Sequence, residues 1–378
     1  MKHLRKFNTQ ADYDAYTEQG IDYPCVSVVV DSGDMKYDGD DPFWVQPYED
    51  NEYYWDVETE YSFNTVTWET LPEYETLLIP AYRKVYWRRA EAEHSGCLMT
   101  EELDIACNVG GDIMSLFHGS YYRENKTLPE GSCCMSLFEF SGVKDASKLI
   151  LSAEDLTEYC YEGMFCFCNN IEVPPRLPAM KLAKGCYYFM FEESNLKYAP
   201  KLPSTNLAED CYCGMFFICE NLTSAPELPA TTLAKNCYDS MFFCSGITKA
   251  PCLPATILEE GCYAAMFVGC EDLAVAPELP ATELSEYCYQ QMFYECHSLE
   301  VAPTLPALYL KRSCYEEMFY NCKSLHTIKM MAISSATWAF SDWVEFVPEG
   351  GTFIQNAQAD WEGYGVIPEG WTIEYAES

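Results

Sequence analysis

One hexapeptide pattern constrains this chain more than anything else in it. Cys-Tyr-x-x-Met-Phe occurs seven times, beginning at Cys160, Cys186, Cys211, Cys237, Cys262, Cys288 and Cys314, at spacings of 25 or 26 residues. Each copy is followed by an aliphatic residue (Ile171, Leu196, Leu222, Ile247, Leu273, Leu299, Leu325). Six copies continue into Pro-x-Leu-Pro, from Pro175–Pro178 through Pro303–Pro306. A degenerate copy lies upstream at Cys133, Leu137, Phe138 and Val143. A unit this short cannot bury its own apolar stripe, whereas stacked neighbours bury a continuous one. The chain must therefore build an array.

Within a unit, Leu233, Cys237 and Met241 recur at intervals of four, with Tyr238 and Phe242 beside them. That spacing predicts a helical face, with Thr231 or Thr232 as its N-cap. The run from Leu222 to Pro229 predicts an extended segment. Its prolines lack the amide hydrogen a ladder needs, so very short strands or polyproline-like pieces are expected. Twelve of the 21 cysteines fall at two repeat positions, the seven above plus Cys168, Cys219, Cys270, Cys296 and Cys322. Metal sites usually show closer pairs, and buried free cysteine behaves as a small hydrophobe. Structural thiols are the expectation, with metal or disulfides between repeats as the alternatives. The tyrosine after each cysteine likewise reads as packing before it reads as a binding stripe.

The pattern Cys-Tyr-x-x-Met-Phe-x-x-Cys-x-x-Leu followed by Ala-Pro-x-Leu-Pro-Ala resembles the BspA-type leucine-rich repeats of Bacteroides-type bacteria and their phages. The resemblance covers about residues 105 to 378. It takes in Gly111-Asp112-Ile113-Met114-Ser115-Leu116-Phe117 upstream, and Gly351-Thr352-Phe353 with Ile367-Pro368-Glu369-Gly370-Trp371 downstream. It implies a curved solenoid used for adhesion and recognition, and it supplies no catalytic residues. The expected fold is thus an α/β repeat solenoid, leucine-rich-repeat-like, of about seven to eight units. A small N-terminal β domain and a C-terminal cap accompany it.

The flanks divide accordingly. Residues 1 to 41 read as a separate anchor segment: Thr9 and Asp12 give a capping pattern, and Val26–Val30, Asp31–Asp34 and Met35–Tyr37 read as strand, turn and strand. Lys6 through Tyr37 resembles a leader of phage structural proteins. Residues 42 to 92, with runs such as Lys84-Val85-Tyr86-Trp87-Arg88, predict a small antiparallel, immunoglobulin-like domain. Residues 93 to 132 make an N-terminal cap leading into the degenerate repeat, 133 to 331 the array and 332 to 378 the C-terminal cap. In that last piece Trp338, Trp343, Trp361 and Trp371 are expected to close an open end.

Charge narrows the partners. With 59 acidic against 23 basic residues and a formal charge of −36, the chain lacks the basic surface that displaces counterions from nucleic acid. Anionic membranes are disfavoured for the same reason. No run of about 18 apolar residues appears, so no membrane span is expected. Met1 to Phe7 is basic, but Asn8-Thr9-Gln10 is polar where a signal peptide would turn apolar. The expectation is folding in a reducing cytoplasm, which the odd number of cysteines also favours.

No catalytic constellation emerges. His3, His94, His118, His297 and His326 are dispersed, and no nucleophile elbow or phosphate loop is present. His94 with Cys97 and Cys107 is the nearest approach to a metal cluster, and Asp34, Asp38, Asp40 and Asp41 do not match a calcium loop. The expectation is a non-enzymatic protein without cofactor or metal. A virion-associated display protein that contributes to host-surface recognition is favoured, because an adhesion-type repeat without an export signal leaves the cell by lysis. A bacterial surface adhesin exported by another route is the alternative. The expected partners are virion structural proteins through residues 1 to 41, a host-surface glycan or protein, and a further copy of the chain. The candidate contact residues sit in the variable place of Pro-x-Leu-Pro: Arg176, Lys201, Glu227, Glu278 and Thr304, with Cys252 among them.

Overall fold

The computed structural model describes residues 41–53, 58–73, 75–89, 105–129, 131–362 and 365–376. The proposed anchor segment, apart from Asp41, lies outside the described residues, as do His94 and Cys97. From Asp41 onward the described residues belong to one compact unit.

The repeats stack as coils, but not as an α/β leucine-rich-type solenoid. Among the described residues the only α-helix is α1 (Ser115–His118), a single turn ahead of the array. The Cys-Tyr-x-x-Met-Phe segment is instead a chain of tight turns with two alternating kinds of amide. Tyr161, Gly163, Phe165 and Phe167 donate to Cys186, Tyr188, Met190 and Glu192 of the next coil at 2.8–3.0 Å. Between them, Cys160, Glu162, Met164 and Cys166 donate three residues back within their own coil. Every fourth residue has positive φ: Tyr159 at 53°, Gly163 at 56° and Phe167 at 56°, and the corresponding positions recur in the later coils. An α-helix would spend its amides inside the coil. This chain sends half of them to its neighbour, and that gain offsets roughly 1–2 kcal/mol for each left-handed non-glycine residue. The four-residue turn reproduces the i, i+4 spacing of a helix, so the apolar pattern predicts the buried face correctly and the wrong backbone.

The buried face is a set of ladders. Tyr161, Tyr187, Tyr212 and Tyr238 stack in sequence with centroids 5.7–5.9 Å apart, and the series runs on to Tyr315. A parallel phenylalanine series runs from Phe138 to Phe319. The glycines serve this stacking where the left-handed turn brings a ring close. At Gly214 (φ 59°) a Cβ would meet the Phe189 ring.

Across the coil the Pro-x-Leu-Pro segments run parallel from unit to unit, yet they pair only through isolated bridges such as Ser224 with Lys249 and Ile257 with Glu283. Proline removes the donors a continuous ladder would use. Where the prolines are missing, full strands form: β8 (Val143–Ile150) in the degenerate unit and β9 (Thr327–Met330) after the last one.

At the first end, β1 (Trp44–Pro47), β3 (Thr59–Ser62), β4 (Glu69–Leu71), β6 (Val85–Arg89) and β7 (Cys107–Asp112) join β8 in one sheet. Its order is β4-β3-β6-β1-β7-β8, antiparallel except for β7 with β8. A short ribbon pairs β2 (Asn51–Tyr53) with β5 (Leu77–Ile79). This corrects the immunoglobulin-like expectation. Residues 42 to 92 do not form a free-standing two-sheet sandwich but an extension of the array, because β1 pairs with β7 and β7 with the first coil. The Phe43 ring lies 5.9 Å from that of Phe138, tilted by 33°, so the core is continuous across the junction. Gly110 and Gly111 permit this, since a side chain at either would run into Trp44 or the Pro42 carbonyl. The buried Asp112 carboxylate accepts from Lys126 Nζ at 2.5 Å, Ser152 Oγ at 2.8 Å and the Met114 amide at 3.0 Å, which pins the connecting loop to the sheet.

At the other end β9, β10 (Thr352–Gln355) and β11 (Thr372–Tyr375) form a parallel sheet in the order β11-β10-β9. Trp343 covers the last rings of both ladders, 6.3 Å from Tyr315 and 5.9 Å from Phe319. The indole N–H groups of Trp343, Trp361 and Trp371 donate to the carbonyls of Val366, Ala332 and Pro348. A large apolar ring with a satisfied donor suits the end of a stack that must stop.

Candidate functional site

Strict alternation along the extended segments determines what the surface offers. In Pro175-Arg176-Leu177-Pro178-Ala179-Met180, the first, third and fifth residues are buried and the others exposed. The period of two comes from an extended backbone with one face on the core. Repeated through six coils, it produces three outward rows. The first is the variable row: Arg176, Lys201, Glu227, Cys252, Glu278 and Thr304 are all exposed. The second is made of the closing prolines. The third is Met180, Thr205, Thr231, Thr256, Thr282 and Leu308, again all exposed.

The structure thus brings the five candidate residues onto one face, one coil apart except for Glu227 and Glu278, which have Cys252 between them. It does not gather them into a pocket. A shallow open groove of about 550 Å³ crosses the middle of the face, lined by Ser224, Glu227, Pro229, Lys249, Cys252 and Pro254 among others. Prolines and alanines make up most of its lining, and Glu227 and Lys249 bring opposite charges to it.

The cysteines have two distinct environments. In the row Cys160, Cys186, Cys211, Cys237, Cys262, Cys288, Cys314, every thiol is fully buried, and the Cys160 and Cys186 sulfurs reach a carbonyl only at 3.9 and 4.0 Å. The second row is different. Cys168, Cys219, Cys270, Cys296 and Cys322 each donate to a phenylalanine carbonyl of an earlier coil at 2.7–3.1 Å. Three serines occupy the gaps in that row. Ser141, Ser194 and Ser245 stand 3.3–3.6 Å from the next thiol. Burial pushes the thiols up, Cys168 and Cys322 to about 12, so they stay protonated at neutral pH. A protonated, interchangeable Cys/Ser row acts as a hydrogen-bond donor series rather than a ligand set. Among the described residues no group of three or more His, Cys, Asp or Glu side chains could hold a metal ion.

Two signals in the sequence escaped the reading given above. The serines that fill the thiol row sit eight residues after Cys133, Cys186 and Cys237, where the other units have cysteine. The second is a charge row two residues before each cysteine: Glu158, Lys184, Glu209, Lys235, Glu260. Its members pair between coils, Lys184 with Glu209 at 3.1 Å and Lys235 with Glu260 at 2.9 Å. Like charges at the same step would repel, so the alternation helps to fix the stacking register.

The described histidines do not converge. His118 Nε2 lies 2.7 Å from the Thr127 carbonyl, His297 Nδ1 3.5 Å from Glu271, and His326 Nδ1 3.0 Å from Thr327 Oγ1. Cys107, which with His94 and Cys97 is the nearest approach to a metal cluster in the sequence, is buried in β7. No helix among the described residues is long and apolar enough to cross a membrane. Comparison with known proteins finds no family model, no curated protein and no solved structure that matches the chain.

Proposed function

We propose that this is a non-enzymatic display protein whose stacked coils hold a macromolecular contact face, carried on a virion and contributing to host-surface recognition. One observation carries the reading. The Cys, Tyr, Met and Phe common to all seven units are buried, whereas the one freely varying place in Pro-x-Leu-Pro is exposed on each of the six coils that carry it. A rigid interior with a varied outward row is how repeat proteins build extended binding surfaces. The resemblance of the repeat sequence to BspA-type proteins supports recognition. Residues 1 to 41 are proposed as the attachment to the particle.

The test reverses charge at Arg176 and Lys201 together. Attachment of particles to host cells should fall at least about tenfold, the scale of losing two charged contacts, while the melting temperature stays within about 1 °C. Unchanged attachment by that variant refutes the role of the face. Deleting residues 1 to 41 should separately leave the array folded and remove it from purified particles.

A further inference from the structure

The contact face reads nearly the same in both directions along the stack. Its third row begins with Met180, ends with Leu308 and has four threonines between. The row at the groove's edge starts with exposed Val173 and Tyr198 and finishes with exposed Val275 and Val301. The variable row is cationic at its start and anionic later, Lys201 against Glu278, with Glu227 and Cys252 at its centre. From residue 250 to 310 there is no Lys or Arg, so the sign change extends beyond single pairs.

We infer that the partner of this face is a second copy of the chain, packed antiparallel about a two-fold axis that crosses the groove at Glu227 and Lys249. The inference rests on the reading of the face as a macromolecular contact surface and names what it contacts. In a two-fold interface one patch must complement itself. Turning the stack end for end about an axis along the strands sets each row on its own reverse. Met180 then meets Leu308, Val173 meets Val301, Tyr198 meets Val275 and Thr231 meets Thr256. Lys201 meets Glu278 twice, once on each side of the axis. At the centre Lys249 of each copy enters the hollow of the other, over Ser224 and beside Glu227.

Exposed large apolar residues within the coils concentrate on these extended segments (Val173, Met180, Tyr198, Ile257, Val275, Val301, Leu308 and Tyr309). Exposed apolar side chains gathered towards both ends of one face, with polar residues between them, mark an interaction surface rather than scattered ordinary exposure. Six coils at about 4.8 Å and an extended segment of roughly 25–30 Å give about 720–860 Å² per copy. That is close to the roughly 800 Å² per partner of a standard specific interface. The pair would present its turn faces on both outer sides, giving two equivalent surfaces for multivalent display.

The test is a charge swap read by mass. The full-length chain in sedimentation or light scattering should show twice its 43.2 kDa mass at micromolar concentration. Lys201→Glu and Glu278→Lys should each raise the dimer dissociation constant by about tenfold or more, and Lys201→Glu/Glu278→Lys in one chain should restore it to within about threefold. A chain that remains monomeric up to about 100 μM, or a double swap no better than the singles, overturns the antiparallel pair. Loss of cell attachment by a variant that is monomeric throughout would assign the face to a different partner. Normal pairing without any cell attachment would leave the pair standing and refute the recognition reading instead.

Discussion

Replacing cysteine by serine at two neighbouring rows of the same core should give opposite results. At Cys186 the sulfur is fully buried and its closest carbonyl, that of Cys211, lies 4.0 Å away. A serine oxygen sits closer to its own backbone than sulfur does, so the gap to the carbonyl widens and the hydroxyl is left buried without a partner. That costs about 1–3 kcal/mol. At Cys219 the sulfur already donates to the Phe191 carbonyl at 3.0 Å and lies 3.5 Å from Ser194 Oγ. A hydroxyl there keeps its acceptor, and a buried O–H···O bond worth about 1 kcal/mol offsets the lost sulfur contacts. The expected cost is within about 0.5 kcal/mol, as Ser194 and Ser245 at the same place imply. Urea unfolding under reducing conditions, followed by tryptophan fluorescence because Trp343 lies on the stack, reads both variants against the parent. The midpoint should move for Cys186→Ser, and equally for Cys237→Ser, but not for Cys219→Ser. Equal losses at Cys186 and Cys219 would refute the distinction between a packing row and a donor row.

Two further outcomes follow from the same stack. Burial pushes the Asp239 carboxyl up from 3.8 to about 6, with Asp210 adding repulsion and a hydrogen bond from Ser240 opposing. A raised folded value favours the protonated form, so this group's contribution is greatest below pH 3.8 and is lost as pH rises through about 6; Asp239→Asn should therefore stabilise by about 1–3 kcal/mol at pH 8 and by little at pH 4, as denaturation at the two pH values would show. Trp343→Ala removes the ring that ends both ladders and should cost about 3–5 kcal/mol, with faster amide exchange in the last coils than at Cys160; uniform loss of protection along the stack would contradict a local cap.

Much of this architecture was legible in the chain. The repeat, its buried positions and the brevity of the proline-bounded strands all follow from period and chemistry. The backbone of Cys-Tyr-x-x-Met-Phe did not, since Leu233, Cys237 and Met241 fit a helix and a four-residue turn equally well. The left-handed positions did leave a trace. Gly163, Gly214, Asp210 and Asn236 are residue types that tolerate positive φ, and they fall at places four apart relative to the cysteines. Phe189 and Gln291 at the same places obscured it, because tertiary stacking overrides local preference there. The separate β domain was misread for another reason. Strand alternation in Lys84–Arg88 shows that a face is buried, but only the pairing of β1 with β7 shows against what. The candidate face was readable as variable and exposed, whereas its symmetry required knowing which rows share a side.

The charge row has a consequence for how such a chain can lengthen or shorten in descent. Coils carrying Lys184 and Lys235 are also those with Ser194 and Ser245, and they are the 25-residue ones, while their neighbours have 26. Charge, thiol and length therefore alternate together from Cys160 to Cys262. Losing one such coil would set Glu158 on Glu209, and copying it would set Lys184 on its own duplicate, so either juxtaposes two units of the same kind, whereas exchanging 51 residues preserves every cross-coil pair. The unit of inheritance in this stretch is a doublet, although the unit of folding is a single coil. Beyond it Cys270, Cys296 and Cys322 follow one another without serine at 26-residue steps, and Glu260 precedes Glu286. That junction is where recombination within the gene would be free to change the number of coils one at a time.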